Sequence, residues 1–311
     1  MLVWYLKDIY FSRRGWLVLF RKSFLLFFLI TIAILSFTTV IHAAKDIVAV
    51  KVSSAPALDG SDSDPAWRSA NTYTIKDKRT GSNITLKAVY SGDMFYFLVK
   101  YPDATKDDLH KAWVWNKELD VYEIGPARED TFFFKWNMLD KRVDLTNFAD
   151  NDYTADVWYW KANRTNPSGY TDDKSHVFSS EPGKKAAKIT SRTGKSRYLM
   201  RLGDAGKPAQ AKQLFVDYQG DVMPQYTPAE PEGSRADVKA KGVWSNGSWT
   251  IEFARKFNTG HDDDVQLDPD SGKKYLFGIS IKSCYGEAPD DTQPNIYGQG
   301  RLSDPLYLAF R

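Results

Sequence analysis

The chain has 311 residues, 42% hydrophobic and 14% aromatic, enough apolar side chain for a sizeable core and too much for a disordered chain. It carries 42 Lys and Arg against 39 Asp and Glu, but residues 1–44 hold five of the bases and one of the acids; the remainder, at a net charge of −1, gives no electrostatic case for nucleic acid. A single cysteine, Cys284, excludes an internal disulfide framework, a cysteine-rich zinc site and covalent c-type haem, and four histidines limit multi-histidine metal sites.

The first 44 residues read as an address. Lys7, Arg13, Arg14, Arg21 and Lys22 precede the uncharged apolar run 24–40, and Ala43 and Ala44 follow it. That order is a basic region, an apolar core and a small-residue cleavage site, the form of a secretory signal peptide. Residues 24–44 are also long enough to anchor in a membrane uncleaved. Ser12-Arg13-Arg14-Gly15-Trp16-Leu17 partly matches a twin-arginine signal, which Arg21 and Lys22 then interrupt. Each route places residues 45–311 in a periplasm or another exported space, either free or anchored to the cytoplasmic membrane.

Short alternating runs follow. Residues 84–90 and 94–100 flank Ser91-Gly92-Asp93, which predicts a hairpin. Residues 131–136 are an aromatic run. In 155–160, Val157 and Tyr159 are predicted on one face, and Trp158 and Trp160 on the other. Further strands are predicted over 196–202, 241–244, 249–253, 275–281 and 306–310, with Asn246-Gly247 supplying the positive φ pair of a type I′ turn. No long amphipathic helix and no internal repeat is visible, so residues 45–311 are read as one all-β sandwich. Residues 203–242, rich in proline and glycine, are read as a long loop insertion on it.

Candidate chemistry sits at few positions. His110 lies beside Trp113 and Trp115 in a loop after a strand, the setting of a cofactor ligand or of an ordinary packing histidine. His176, within Asp172-Asp173-Lys174-Ser175-His176, and His261, ahead of three aspartates, are read as exposed. Met94, Met138, Met200 and Met223 are soft axial ligands or core filler. The clusters Asp59, Asp62, Asp64 and Asp262, Asp263, Asp264 offer oxygens of the kind that hold Ca²⁺. Neither follows the EF-hand spacing, and a solvated turn is the simpler reading of each. Trp113, Trp115, Trp136, Trp158 and Trp160 suit a porphyrin slot, a sugar-stacking face or a sandwich core. No hydrolase, P-loop or dinucleotide motif is present.

Together these segments resemble the ethylbenzene dehydrogenase-type haem-binding family, which includes the haem b subunits of dimethylsulfoxide reductase-like enzymes and related cytochrome domains. The resemblance covers most of residues 47–311. Leu58-Asp59-Gly60 with Asp64-Pro65-Ala66-Trp67 looks like the family's opening strand and turn, shared with family 9 carbohydrate-binding modules. Tyr101-Pro102-Asp103-Ala104-Thr105, and Arg128-Glu129-Asp130 leading into 131–136, are similar to its next steps. Asp156-Val157-Trp158-Tyr159-Trp160-Lys161-Ala162, continued by Arg164-Thr165-Asn166-Pro167, is the most specific match. Residues 249–255 with Thr259-Gly260 look like the late strand.

The resemblance implies an immunoglobulin-like β-sandwich, like that of family 9 carbohydrate-binding modules, with long loop insertions. It implies one non-covalent b-type haem and an electron-transfer role beside a redox partner subunit or cytochrome, without substrate chemistry of its own. His110 is then the first expected iron ligand, Met94, Met138 or His176 the second, and Trp158 and Trp160 the slot. Residues 145–152, where relatives carry a C-x-x-C-H segment or an axial methionine, contain no Cys, His or Met; Tyr159 stands where many relatives have histidine. Residues 298–304, where relatives offer a lysine or histidine, contain Arg301, a poor iron ligand. The alternative expectation is a haem-free module on the same sandwich that binds a carbohydrate or docks on a partner.

Overall fold

The computed structural model describes residues 45–78, 80–282 and 302–311. The signal or anchor segment, Cys284 and residues 298–301 lie outside them. Among the described residues, helix is limited to 3-10 turns at Pro65–Arg68, Asn166–Ser168 and Gly233–Ala236, and no helix is long and apolar enough to cross a membrane. Ala44–Arg311 pack as one compact unit.

The chain is otherwise strand and loop. It opens with β1 (Lys45–Lys51), β2 (Tyr73–Lys76), β3 (Asn83–Ser91), β4 (Met94–Pro102), β5 (Trp113–Asn116) and β6 (Val121–Ile124). Next come β7 (Thr131–Asn137), β8 (Tyr153–Lys161), β9 (Asp172–Ser179), β10 (Ala187–Thr190), β11 (Ser196–Gly203) and β12 (Gln210–Lys212). The last are β13 (Val222–Met223), β14 (Tyr226–Pro228), β15 (Lys239–Ser245), β16 (Ser248–Lys256), β17 (Tyr275–Lys282) and β18 (Leu306–Phe310).

Two layers form the sandwich. One runs β10-β11-β9-β8-β7-β17-β18, the other β3-β4-β16-β15 with β2 added to β3. Strand β1 joins them: its first half pairs in parallel with β18, and Val50 and Lys51 pair in parallel with β3. Two turns read from the sequence set local register. Gly92 (φ 58°) turns β3 into β4, and Asn246 (φ 51°) with Gly247 (φ 72°) turns β15 into β16.

Period-two alternation fills the space between the layers. Phe132, Phe134 and Trp136 of β7 and Trp158 and Trp160 of β8 meet Phe97 of β4 and Trp249 and Phe253 of β16. Phe97 stacks on Phe134 at 4.5 Å, and Trp160 meets Trp249 edge-on at 4.8 Å. Such pairs add about 0.5–1.5 kcal/mol each beyond area burial. Both outer faces are covered as well. Residues 143–149 place Val143, Leu145 and Ala149 over Phe133, Val157, Phe178 and Leu199. Trp67 and Leu58 cover Val89, Tyr96 and Leu98. Glu252 holds that second cover, accepting from Trp67 Nε1 (2.8 Å) and from the amides of Asp59 (2.9 Å) and Gly60 (2.8 Å).

Residues 203–242 carry β12 to β14 and the third 3-10 turn. Strand β13 pairs with β5, which pairs with β6, and β12 pairs with β14.

One junction gives a pH-dependent signature. Asp130, fully buried at the entry to β7, accepts from Trp249 Nε1 (3.0 Å) and from the Asp107 amide (2.9 Å). Burial, then the nearby Asp103 carboxylate, pushes its pKa up to about 7. The folded state therefore binds a proton that the unfolded chain releases near pH ~4. The contribution is complete below that pH and is lost as pH rises toward 7. Asp130→Asn keeps an acceptor for both donors and removes the titration. The fall of unfolding free energy between about pH 4 and about pH 7 should become shallower by up to about 1.4 kcal/mol per pH unit. Urea melts at three pH values measure this, and identical slopes in the two proteins would refute it.

Candidate functional site

A cleft of about 840 Å³ opens on the outer face of the first layer, within the range of small-molecule sites. Its floor is β17 at Leu276 and Gly278. One wall is the loop between β7 and β8, with Val143, Leu145, Thr146 and Phe148; the other is residues 302–305. Local chemistry fixes each wall. Asp144 Oδ1 caps the Thr146 amide (2.9 Å), Asn151 Oδ1 accepts from the Asp144 amide (3.0 Å), and the Phe148 carbonyl accepts from the Arg192 amide (2.9 Å). Ser303 bonds back to Ile279 through backbone (2.9 Å) and hydroxyl (3.2 Å). Gly278 has room for Leu302: a Cβ there would sit 3.1 Å from Leu302 Cδ1.

The rim is mixed in charge, with cations in excess by one. Arg192 pairs with Asp144 (2.8 Å), Lys78 pairs with Asp304 (3.0 Å), and Arg142 is exposed beside them. The site is an apolar slot edged by three cations and two carboxylates, a shape that takes a flat hydrophobic ligand bearing an anionic group. The described lining residues include no histidine, methionine or cysteine.

The residues singled out from sequence are dispersed. Trp158 and Trp160 are 1% and 0% exposed and packed ring against ring in the core, so neither faces a ligand. Met94 packs beside Trp67 on the outer face of the second layer. Met138 lines a separate cleft of about 430 Å³ with Asp264 and Tyr307. His110 is nearly buried before β5, with Nδ1 3.3 Å from Glu129 Oε1 and its ring 5.9 Å from Tyr226. That carboxylate is already held by Arg164 and by the amides of Asn163 and Arg164. Burial, with Arg164 and Arg128 nearby, depresses His110 to about 2, so the imidazole is neutral.

His176, expected at the surface, is fully buried on β9, and neither ring nitrogen has a hydrogen-bond partner. Burial and then Lys135 push its pKa well down. The surrounding charges give its segment a surface-like composition, yet β9 lies inside the layer between β8 and β11. None of the six lines the large cleft.

The first acidic cluster is not a cation site. Asp59 Oδ1 caps the Ser61 amide (2.9 Å), Asp62 pairs with Lys100 (2.9 Å), and Asp64 Oδ2 accepts from the Ala57 amide (2.8 Å). The cleft itself escaped sequence reading because its walls come from residues 142–151, 276–278 and 302–305, far apart in the chain. The one signal in the sequence was the resemblance, whose two expected ligand-bearing stretches include residues 145, 146, 148 and 151 and residues 302–304 of these walls.

Among curated proteins no match is found. The family model described as Ethylbenzene dehydrogenase matches residues 44–281. Among solved structures, the chain is similar to a family 9 carbohydrate-binding module from Caldicellulosiruptor kristjanssonii in complex with glucose. The identity is 12% over 86% of this chain and 97% of that chain, with a TM-score of 0.38. A second structure from that family and organism, in complex with cellotriose, is 12% identical over 86% of this chain and 95% of that chain, with a TM-score of 0.36.

Proposed function

We propose that this chain, which belongs to the ethylbenzene dehydrogenase family, is an exported accessory module of a redox complex that holds one b-type haem non-covalently. The cleft between the β7–β8 loop and residues 302–305 carries the reading. Val143, Leu145, Phe148, Leu276 and Leu302 suit the macrocycle, and Arg142, Arg192 and Lys78 suit its two carboxylates. The iron fares differently: Lys78 is the one amine among the described lining residues, and Asp304 holds it in an ion pair. Haem, when bound, supplies a one-electron centre. The chain's part is to keep water from the ring and to neutralise the carboxylates.

A partner subunit fits the second half of the proposal. Val114 and Val222 face each other across β5 and β13, and Leu119, Val121, Leu214 and Val216 are exposed on that small sheet and the loop leading to it. Apolar exposure of this kind marks interaction surfaces.

Titration of the purified protein with haemin should shift the Soret band at one equivalent. Arg142→Glu with Arg192→Glu should weaken uptake at least about tenfold, the worth of one charge-assisted contact. With no histidine, methionine or cysteine among the described lining residues and Lys78 held by Asp304, the dithionite-reduced spectrum should lack sharp α and β bands. Absence of any Soret shift would remove the haem reading and leave a haem-free, partner-docking module.

A further inference from the structure

A second group of side chains, unused by the cleft, lies between the two layers at one end of the sandwich. Asp156 on β8 and Asp173 on β9 are diagonal neighbours on the inner face, since Asp156 is in register with Ser175 and Trp158 with Asp173. Asp264 reaches them from the loop after β16. The three are 0%, 0% and 3% exposed, and one carboxylate oxygen from each lies within 4.8 Å of the others.

Their hydrogen bonding is incomplete. Asp156 Oδ2 accepts from Trp158 Nε1 (3.1 Å) and from the Val265 amide (3.1 Å), but its Oδ1 has no partner. Neither oxygen of Asp173 has a partner, and Asp264 is approached by the side chains of Thr259 and Asp237. Asp204, just past β11, adds a fourth buried carboxylate without a donor. Arg255, fully buried on β16 and over the Trp158 ring, is 3.5 Å from Asp264 Oδ2 and 4.0 Å from Asp156 Oδ2. Carboxylate oxygens without donors are thus gathered in a buried place, where an unsatisfied polar group is costly.

The geometry points to a buried Ca²⁺ site built from Asp156, Asp173 and Asp264. All the donors are carboxylate oxygens, the set that selects hard cations over soft ones. Ca²⁺ accepts oxygen ligands at about 2.3–2.6 Å in flexible geometry, whereas Mg²⁺ demands a near-ideal octahedron at about 2.1 Å and keeps waters that a buried site has little room for. Entry is available, because Asp264 also lines the cleft that holds Met138. On the outer side Asp237 and His261 are bonded to each other (2.5 Å). An ion here ties β8, β9 and the loop after β16 together between the layers. The site is remote in composition from the haem cleft and does not depend on that reading.

The test uses the purified full chain after EDTA treatment and dialysis, with Ca²⁺ alone as the probe. Binding at one equivalent is expected, and Ca²⁺ at about a hundred times its Kd should raise Tm by roughly 5–10 °C. Tb³⁺ should give tryptophan-sensitised luminescence that Ca²⁺ quenches, because the Trp158 indole is bonded to Asp156. Asp173→Asn, which replaces one carboxylate oxygen with an amide nitrogen and removes the charge at a side chain that holds nothing else, should abolish the Ca²⁺-dependent rise in Tm and the Tb³⁺ emission. Asp264→Asn gives the same readout should the first variant fold poorly. No response of the wild type to Ca²⁺, a response to Mg²⁺ alone, or an unchanged Ca²⁺ response in a folded variant overturns the assignment.

Discussion

Asp172→Ala should destabilise the protein by about 3–5 kcal/mol, among the largest single effects available in this fold. Asp172 is 3% exposed at the start of β9 and is shared by three cations. Its Oδ2 contacts Lys161 of β8 and Lys174 (3.0 Å), and its Oδ1 contacts Arg235 of the third 3-10 turn. Burial alone would raise this carboxyl; the three cations instead hold it well below the ordinary carboxylate range. Lys161, equally buried, is brought down by burial to about 8 against the upward pull of Asp172.

Removing the carboxylate strands Lys161, because Lys174 and Arg235 reach solvent while the Lys161 ammonium does not. Adding Lys161→Met to Asp172→Ala should recover much of the loss, since the buried charge is then gone. The sign of the pH effect follows from the depressed carboxyl. Its stabilisation is fully present above the unfolded value near pH ~4 and is lost as pH falls below it. Urea melts of the two variants test the idea. A loss below about 1 kcal/mol in Asp172→Ala, or no recovery in the double variant, would mean the pair is solvated.

That cluster also shows what the sequence conveys and what it withholds. The hairpins β3–β4 and β15–β16 were legible because alternation and turn residues are local signals. The opposition of Val157 and Tyr159 to Trp158 and Trp160 was legible for the same reason. Strand β9 was not legible. Its sequence, Asp172-Asp173-Lys174-Ser175-His176-Val177-Phe178-Ser179, mixes charge and apolar residues in the way a surface loop does. The charge of Asp172 is matched by Lys161 and Arg235, which tertiary structure brings to it. His176 was misplaced with it. Tryptophan gave an ambiguous signal because a ligand slot and a core call for the same residue, and the opposing layer decides between them. The run Asp262-Asp263-Asp264 hid a division of labour. Asp262 is exposed, Asp263 accepts from Ser234 (2.8 Å) and the Ala205 amide (3.2 Å), and Asp264 turns inward.

Trp136→Ala should cost about 3–5 kcal/mol, whereas Trp136→Phe should cost less than about 1.5 kcal/mol. Trp136 is fully buried, stacked on Phe277 at 4.5 Å and set against Trp158 at 4.9 Å. Truncation to alanine empties the centre of this aromatic group. Phenylalanine leaves a smaller gap and also removes the indole N–H, which has no hydrogen-bond partner. An unsatisfied buried donor costs about 1–3 kcal/mol, so its removal offsets much of the lost packing. The two variants also separate stability from ligand uptake. Phe277 lies between the floor residues Leu276 and Gly278 of the large cleft and is itself part of the lining. Loss of its stacking partner should therefore weaken haemin uptake in Trp136→Ala, while Trp136→Phe retains it. Chemical denaturation and a Soret titration on both variants read the two effects side by side. Equal costs for the two substitutions would show that the indole N–H is satisfied. Unchanged uptake in a folded Trp136→Ala would show that the cleft floor stands without the core beneath it.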